Sequence, residues 1–66
     1  MDANELAAFV RQWCDREDVT ETVREHMLAL TAEDPEYWAT VSCWRLWDRA
    51  IELIETEARR SARRSF

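Results

Sequence analysis

The sequence predicts an all-α fold of three helices, in which a helical hairpin packs on a long C-terminal helix. The 66 residues contain no glycine and one proline, which excludes architectures built on tight β-hairpins, because those turns need residues that tolerate positive φ. Apolar residues make up 47% of the chain and recur at the spacing of amphipathic helices. This length allows one domain, which we expect over residues 1–60. Residues 61–66 should form a basic, frayed tail.

The first helix is expected at about residues 3–16. Asp2 and Glu5 have the spacing of a capping box, in which each side chain bonds the other residue's backbone N–H. The apolar residues behind them share one face of the helix. They are Leu6, Phe9, Val10 and Trp13.

The second helix is expected at about residues 19–32. Asp18 and Glu21 repeat the capping-box spacing, which predicts a helix start after a very tight turn. The apolar stripe of this helix consists of Val19, Val23, Met27 and Leu30.

The third helix is expected at about residues 35–60. Asp34 can accept hydrogen bonds from the free N–H groups of the first turn, and Pro35 loses no bond at the first helical position. Nothing interrupts the pattern until about Arg60, which predicts a rod of roughly 39 Å. The acidic start and basic end both complement the helix dipole.

This third helix carries more apolar surface than a hairpin of half its length can cover. Its apolar arc spans roughly 240° of the helical wheel, whereas a surface helix needs about 100°. Part of the arc is a seam with the spacing of helix–helix contacts. The seam comprises Trp44, Trp47, Ile51, Ile54 and Ala58, with Leu53 on its flank. We expect a homodimer that covers this seam, and part of the seam is also a candidate to pack against a partner protein. A monomeric bundle and an obligate hetero-complex are the alternatives.

Trp38, Arg45 and Arg49 form a second candidate surface on the polar side of the seam. Tryptophan and arginine are enriched at protein interfaces, so we predict that these three residues contact a partner protein. The alternative is that Trp38 packs beneath the end of the second helix near Leu28.

A cluster of four arginines near the C-terminus forms an anion-binding candidate. Its members are Arg59, Arg60, Arg63 and Arg64. They could bind phosphates of nucleic acid, which makes a nucleic-acid-associated accessory protein the second functional hypothesis. The alternative is a solvated helix end that complements the dipole. Acidic residues at the start of the third helix argue against sequence reading by a helix-turn-helix, because they repel the DNA backbone.

The remaining residues favour no catalytic or metal site. Cys14, His26 and Cys43 lack the close pairs of a structural zinc site, and no nucleophile lies beside His26. We therefore expect no enzyme activity, no metal and no cofactor, and we expect both thiols to be free.

Charge and hydropathy patterning bear on location and partners. Fourteen acidic and nine basic residues give a net charge of −5, and imitation of nucleic acid by this acidic surface stays open. The longest apolar run, Leu6–Val10, is too short to span a membrane, and no signal peptide is recognisable, so we expect a cytoplasmic protein.

Together these observations predict a small regulatory or inhibitory protein that binds a partner protein and occludes a site on it. All nine bases are arginine, a bias typical of GC-rich genomes. A phage or plasmid accessory protein is therefore the expected origin.

Overall fold

The structure, a computed structural model, describes the backbone of residues 1–64 and the side chains of residues 1–63. It contains four helices: α1 (Ala3–Arg16), α2 (Glu21–Glu33), α3 (Pro35–Trp38) and α4 (Cys43–Arg64). Residues 1–64 contain no strand. The all-α prediction is therefore confirmed, whereas the prediction of three helices is wrong. Residues 65 and 66 of the predicted tail lie outside the described residues.

Helix α1 begins and ends where the sequence predicts. The Oδ1 atom of Asp2 accepts a hydrogen bond from the Glu5 N–H at 2.8 Å, which satisfies one of the free donors of the first turn. At the other end, the Val19 N–H donates to the Cys14 carbonyl at 2.9 Å, and the Asp18 N–H donates to the Asp15 carbonyl at 3.4 Å. These two bonds form a Schellman motif, which terminates the helix.

The predicted role of Asp18 as the cap of the second helix is wrong. Asp18 has φ 54° and occupies the left-handed position after α1 that glycine usually fills. Helix α2 begins two residues later than predicted, at Glu21. Thr20 precedes it and makes no side-chain capping bond within the described residues. Aspartate is suited both to the N-cap of a helix and to the left-handed position after a helix. The tight turn between α1 and α2 requires Asp18 in the left-handed position.

The predicted third helix is interrupted after one turn. Its start is confirmed, because Asp34 Oδ1 accepts from the Tyr37 N–H at 3.3 Å. The Thr40 hydroxyl then donates to the Tyr37 carbonyl at 2.8 Å, and Ser42 Oγ accepts from the Arg45 N–H at 3.4 Å. Serine and threonine side chains compete with helical backbone bonds in this way. Residues 39–42 therefore separate α3 from α4, which continues beyond the expected end at residue 60.

Helix α2 packs against both α1 and α4 and so holds the fold together. The buried apolar side chains of the described residues come from these three helices. They are Leu6, Val10, Trp13 and Cys14 of α1, Val23 and Met27 of α2, and Leu46 and Ala50 of α4. Arg24 Nη2 and Asp15 Oδ1, 2.6 Å apart, link α2 to α1.

Helix α4 buries one flank of its apolar arc more deeply than the seam, whose residues Trp47, Ile51 and Ile54 are only partly buried against the core. Leu46 and Ala50 are buried, whereas Trp44 is 56% exposed. Every side chain from residue 57 to residue 63 is exposed, so the end of α4 projects beyond the hairpin. Within the part of the chain that the structure describes, no helix combines the length and hydropathy needed to cross a bilayer.

Candidate protein-binding face

Large apolar side chains remain uncovered on the side of the molecule where α1 and α4 approach each other. We call this surface the α1–α4 face and define it by Phe9, Trp44, Trp47 and Ile51. Phe9 is 50% exposed and Trp44 56% exposed, while Trp47 and Ile51 are half-buried. Uncovered apolar patches of this kind mark interaction sites on small proteins.

Trp44 forms a ridge across the α1–α4 face. Its ring meets the buried ring of Trp13 edge to face, with centroids 4.9 Å apart and an angle of 87°. It also lies 6.3 Å from the ring of Trp47, again edge to face. Trp13 and Trp44 line a cavity on either side of this ridge. The ridge is supported from beneath, because Trp13 is held in the core.

The first cavity lies between α1 and the chain that connects α3 to α4, and it has a volume of about 460 Å³. Its apolar wall includes Leu6, Phe9, Val10, Trp38 and Val41. Arg16 is the one residue with a charged side chain among the described residues that line it. The cavity therefore suits an apolar side chain of a partner.

The second cavity lies between the α1–α2 turn and α4, and it has a volume of about 350 Å³. Its apolar wall consists of Trp13, Val19, Val23, Trp44, Trp47 and Ile51. Glu17 and Asp18 of the turn line its edge. This cavity is also apolar inside, but its edge carries negative charge.

The predicted seam lies on one side of α4, within about 80° of the helical wheel. Trp44, Trp47 and Ile51 lie on the α1–α4 face. Trp47, Ile51 and Ile54 are half-buried and pack against the core cluster. Ala58 is exposed on the projecting end. Leu53 lies elsewhere, because it lines a cavity with His26, Leu30 and Glu57. The dimerising role of these residues stays a prediction.

Trp38, Arg45 and Arg49 lie together around a third cavity, of about 240 Å³. Trp38 is half-buried and packs against the core cluster, and its ring lies 4.8 Å from that of Tyr37. Arg49 pairs with Glu52 at 3.3 Å, whereas Arg45 is exposed. Trp38 also lines the first cavity, so this surface continues into the α1–α4 face. Its contact with a partner stays a prediction.

The arginine cluster lies on the projecting end of α4. The side chains of Arg59, Arg60 and Arg63 are exposed, and Arg59 lies 3.9 Å from Glu55. The side chain of Arg64 is outside the described atoms. Anion binding by this cluster stays a prediction.

Both cysteines are free thiols, as the sequence predicts, but their surroundings differ. Cys14 is fully buried, and its thiol donates to the Met27 sulfur at 3.8 Å. Cys43 is half-buried and lines the first cavity. Burial raises the pKa of both thiols. Across residues 1–64, no three histidine, cysteine, aspartate or glutamate residues gather at a position that could hold a metal ion.

Sequence reasoning placed Trp44, Trp47 and Ile51 on the dimer or partner seam but missed Phe9 as part of the same site, because it assigned Phe9 to the apolar stripe of α1. The position of Phe9 at one edge of the α1 stripe was the available signal, since edge positions are the first to become exposed when only one neighbour is present. Comparison with protein-family models, curated proteins and solved structures found no match to this chain.

Proposed function

We propose that this protein is a small non-enzymatic regulatory or inhibitory module that binds a partner protein through the α1–α4 face and occludes a site on it. The observation that carries the proposal is the exposure of Phe9 and Trp44 on one face, with an apolar cavity on each side of the tryptophan. Tryptophan anchors are enriched at the energetic centres of protein interfaces.

The geometry of the Trp44 ridge supports binding. Trp44 rests on the buried Trp13, so a partner would meet a tryptophan whose ring is already supported. Such preorganisation reduces the entropy lost on association. Burial of apolar surface contributes about 25 cal/mol per Å², and the α1–α4 face offers three large aromatic side chains.

The Trp38–Arg45–Arg49 surface is a second contact region in this proposal. Trp38 lines both the first cavity and the third, so a partner seated on the α1–α4 face could extend around the start of α4. Arginine beside tryptophan is the composition of an interface. Arg45 would supply hydrogen-bond donors there.

Homodimerisation is part of the same proposal for the free protein. The partial exposure of Trp44, Trp47, Ile51 and Ile54 leaves apolar surface that a second copy could cover by a two-fold contact. A chain of this size buries only about 60% of its unfolded surface when it folds alone, less than a larger domain does. A second copy would therefore add core that one chain lacks.

An affinity capture from the source organism tests the function. The baits are the wild-type chain, the double variant Phe9→Ala/Trp44→Ala, the variant Tyr37→Ala and a chain ending at residue 58. We then purify any protein that is retained by the wild type, by Tyr37→Ala and by the shortened chain but is lost from the double variant. Its Kd for each bait should reproduce the same pattern. Tyr37 has the same 50% exposure as Phe9 but lines the third cavity, so retention by Tyr37→Ala shows that the α1–α4 face contributes more to binding than the second contact region.

Nucleic-acid association through the arginine cluster is the second candidate function. The exposure of Arg59, Arg60 and Arg63 on a projecting helix end supports it. Removal of residues 59–66 should abolish salt-sensitive DNA or RNA binding under this alternative. The same deletion should leave partner binding unchanged if the α1–α4 face is the site.

A further inference from the structure

We infer that the partner segment that occupies the α1–α4 face is a basic amphipathic helix of another protein. The inference rests on the proposed function, because it names the chemistry of the ligand for the same face. It follows from the shape of the face and from the charges around it.

The shape of the face fits a helix with two apolar anchors. The two cavities are separated by the ring of Trp44. Residues one turn apart on a helix are separated by about 5–6 Å, close to the width of one indole ring. A helix laid across the ridge could therefore place one apolar side chain in each cavity, as in helix-in-groove recognition.

Acidic residues surround the second cavity and the outer edge of α4. Glu17 and Asp18 line the cavity. Glu55 and Asp48 lie about 20° and about 40° from Trp44 on the helical wheel, on the side away from Leu46, and both are exposed. We call these four acids the acidic rim.

Arginines offset part of the acidic rim, because Arg45 and Arg49 line the third cavity with Asp48, but among the described residues no arginine lines the second cavity. Arg16 lines the first cavity and lies 3.9 Å from Glu17. Arg59 lies 3.9 Å from Glu55. Residues 1–58 contain all fourteen acids and five of the nine arginines, which is a net charge of −9. The field around the face is therefore negative, and it favours a ligand with lysine or arginine on its polar side.

The acidic rim disfavours the other occupants of the face. The two-fold dimer proposed for the free protein brings each rim toward its own copy, and like charges across an interface are destabilising, so we expect a basic helix to displace the second copy from this face. Phosphates of nucleic acid would meet the same repulsion. A basic helix instead gains from both the apolar cavities and the rim.

Synthetic peptides of about 18 residues provide the probe, a length that gives a helix of about 27 Å. The first carries leucine on one face and lysine and arginine on the other. The second keeps the leucines but has glutamate on its polar face. The third is a scrambled version of the basic peptide without a continuous apolar face. None contains tryptophan or cysteine.

Binding is measured by calorimetry and by the rate at which a thiol reagent modifies Cys43. Cys43 lines the first cavity, whereas Cys14 is fully buried, so protection of the reactive thiol reports occupancy of the face. We expect the basic amphipathic peptide to bind at least about tenfold more tightly than the other two peptides. We also expect it to protect Cys43 and to weaken as salt rises.

Two matched triple variants test the acidic rim. The rim variant is Glu17→Gln/Asp48→Asn/Glu55→Gln, and the control is Glu25→Gln/Glu33→Gln/Glu36→Gln, which removes the same charge from exposed residues elsewhere. We expect the rim variant to lose roughly tenfold in affinity for the basic peptide and the control to change by less than about twofold. Far-UV circular dichroism and thermal unfolding are used to check that both variants remain folded.

Several outcomes would overturn the inference. Equal binding of the acidic or scrambled peptide and the basic peptide would do so, and so would equal losses of affinity in the rim and control variants. If Trp44→Ala still abolishes binding of every peptide, the proposed function stands and only the charge of the partner is wrong. If no peptide binds, or if self-association strengthens with salt and excludes the basic peptide, the occupant is not a basic helix. The affinity capture decides the proposed function independently.

Discussion

The ring of Trp13 and the ring of Trp44 meet edge to face at 4.9 Å, yet Trp13 is 5% exposed and Trp44 56% exposed. The two partners in one aromatic contact therefore belong to different parts of the molecule. Trp13 is part of the core between α1 and α2, and Trp44 is part of the α1–α4 face. Their substitutions should separate stability from binding.

We expect Trp13→Ala to lower the free energy of unfolding by about 3–5 kcal/mol, the usual cost of removing a buried aromatic side chain. Trp44→Ala should lower it by only about 1 kcal/mol, because more than half of the side chain is already in water. Partner binding should nevertheless be lost with Trp44→Ala. Urea unfolding followed by circular dichroism measures both costs, and equal costs would place Trp44 in the core.

Self-association should depend on Ile54, which lies on the predicted seam and is half-buried in one chain. We expect light scattering to give roughly 16 kDa for the wild type, twice the chain mass of 7.9 kDa, because a two-fold dimer covers the seam. Ile54→Glu should give a smaller or unfolded species. Thr56→Glu adds the same charge off the seam and should leave the mass unchanged. A wild type of 7.9 kDa that melts cooperatively would contradict the dimer.

Asp18 holds the left-handed position after α1 with φ 54°. A residue with a Cβ is strained there, whereas glycine is not. We expect Asp18→Gly to raise the free energy of unfolding by about 0.5–1 kcal/mol. Thermal and urea unfolding measure the change. Asp18→Ala should lower stability, since alanine lacks both the freedom of glycine and a polar side chain. Stabilisation by alanine would exclude the conformational explanation.

The helix ends show which sequence signals determine structure locally. Asp2 and Asp34 act as the predicted caps, because a cap needs only its own first turn. Asp18 resembled a cap as well, but the Schellman bonds of α1 require it in the left-handed region. The break after Trp38 depends on hydroxyl bonds of Thr40 and Ser42, and an apolar periodicity contains no information about them.

The candidate site was only partly predictable for a related reason. Periodicity identified a wide apolar arc on the third helix but could not show which part of the arc α2 would cover. The structure turns Leu46 and Ala50 toward the core and leaves Trp44 outside. The edge position of Phe9 on the α1 stripe was a signal for exposure, but periodicity could not show how much of Phe9 the neighbouring helices would leave uncovered.

His26 connects α2 to α4 on the opposite side of α2 from α1. Its Nδ1 atom lies 2.9 Å from the Thr22 carbonyl, and its Nε2 atom lies 3.4 Å from Glu57 Oε2. The Thr22 carbonyl raises the pKa of His26 most, and Glu57 and Glu25 raise it further, against a lowering by burial. Glu33 and Arg49 line the same cavity. The protonated ring can donate to both oxygens, whereas the neutral ring can donate to only one.

This arrangement predicts a loss of stability as the pH rises. A histidine whose pKa is higher in the folded than in the unfolded chain stabilises the fold when it is protonated. This contribution is complete at a pH below the pKa of the unfolded chain. It is lost as the pH rises through the pKa of the folded chain. We expect the free energy of unfolding of the wild type to fall between about pH 5.5 and about pH 8.5. The fall should be smaller in His26→Gln, which has the same carboxylates as the wild type, and smaller in Glu57→Gln. Urea unfolding at both pH values measures these differences. If the free energy of unfolding of the wild type and of His26→Gln changes in parallel with pH, the contact with Glu57 does not couple protonation to folding.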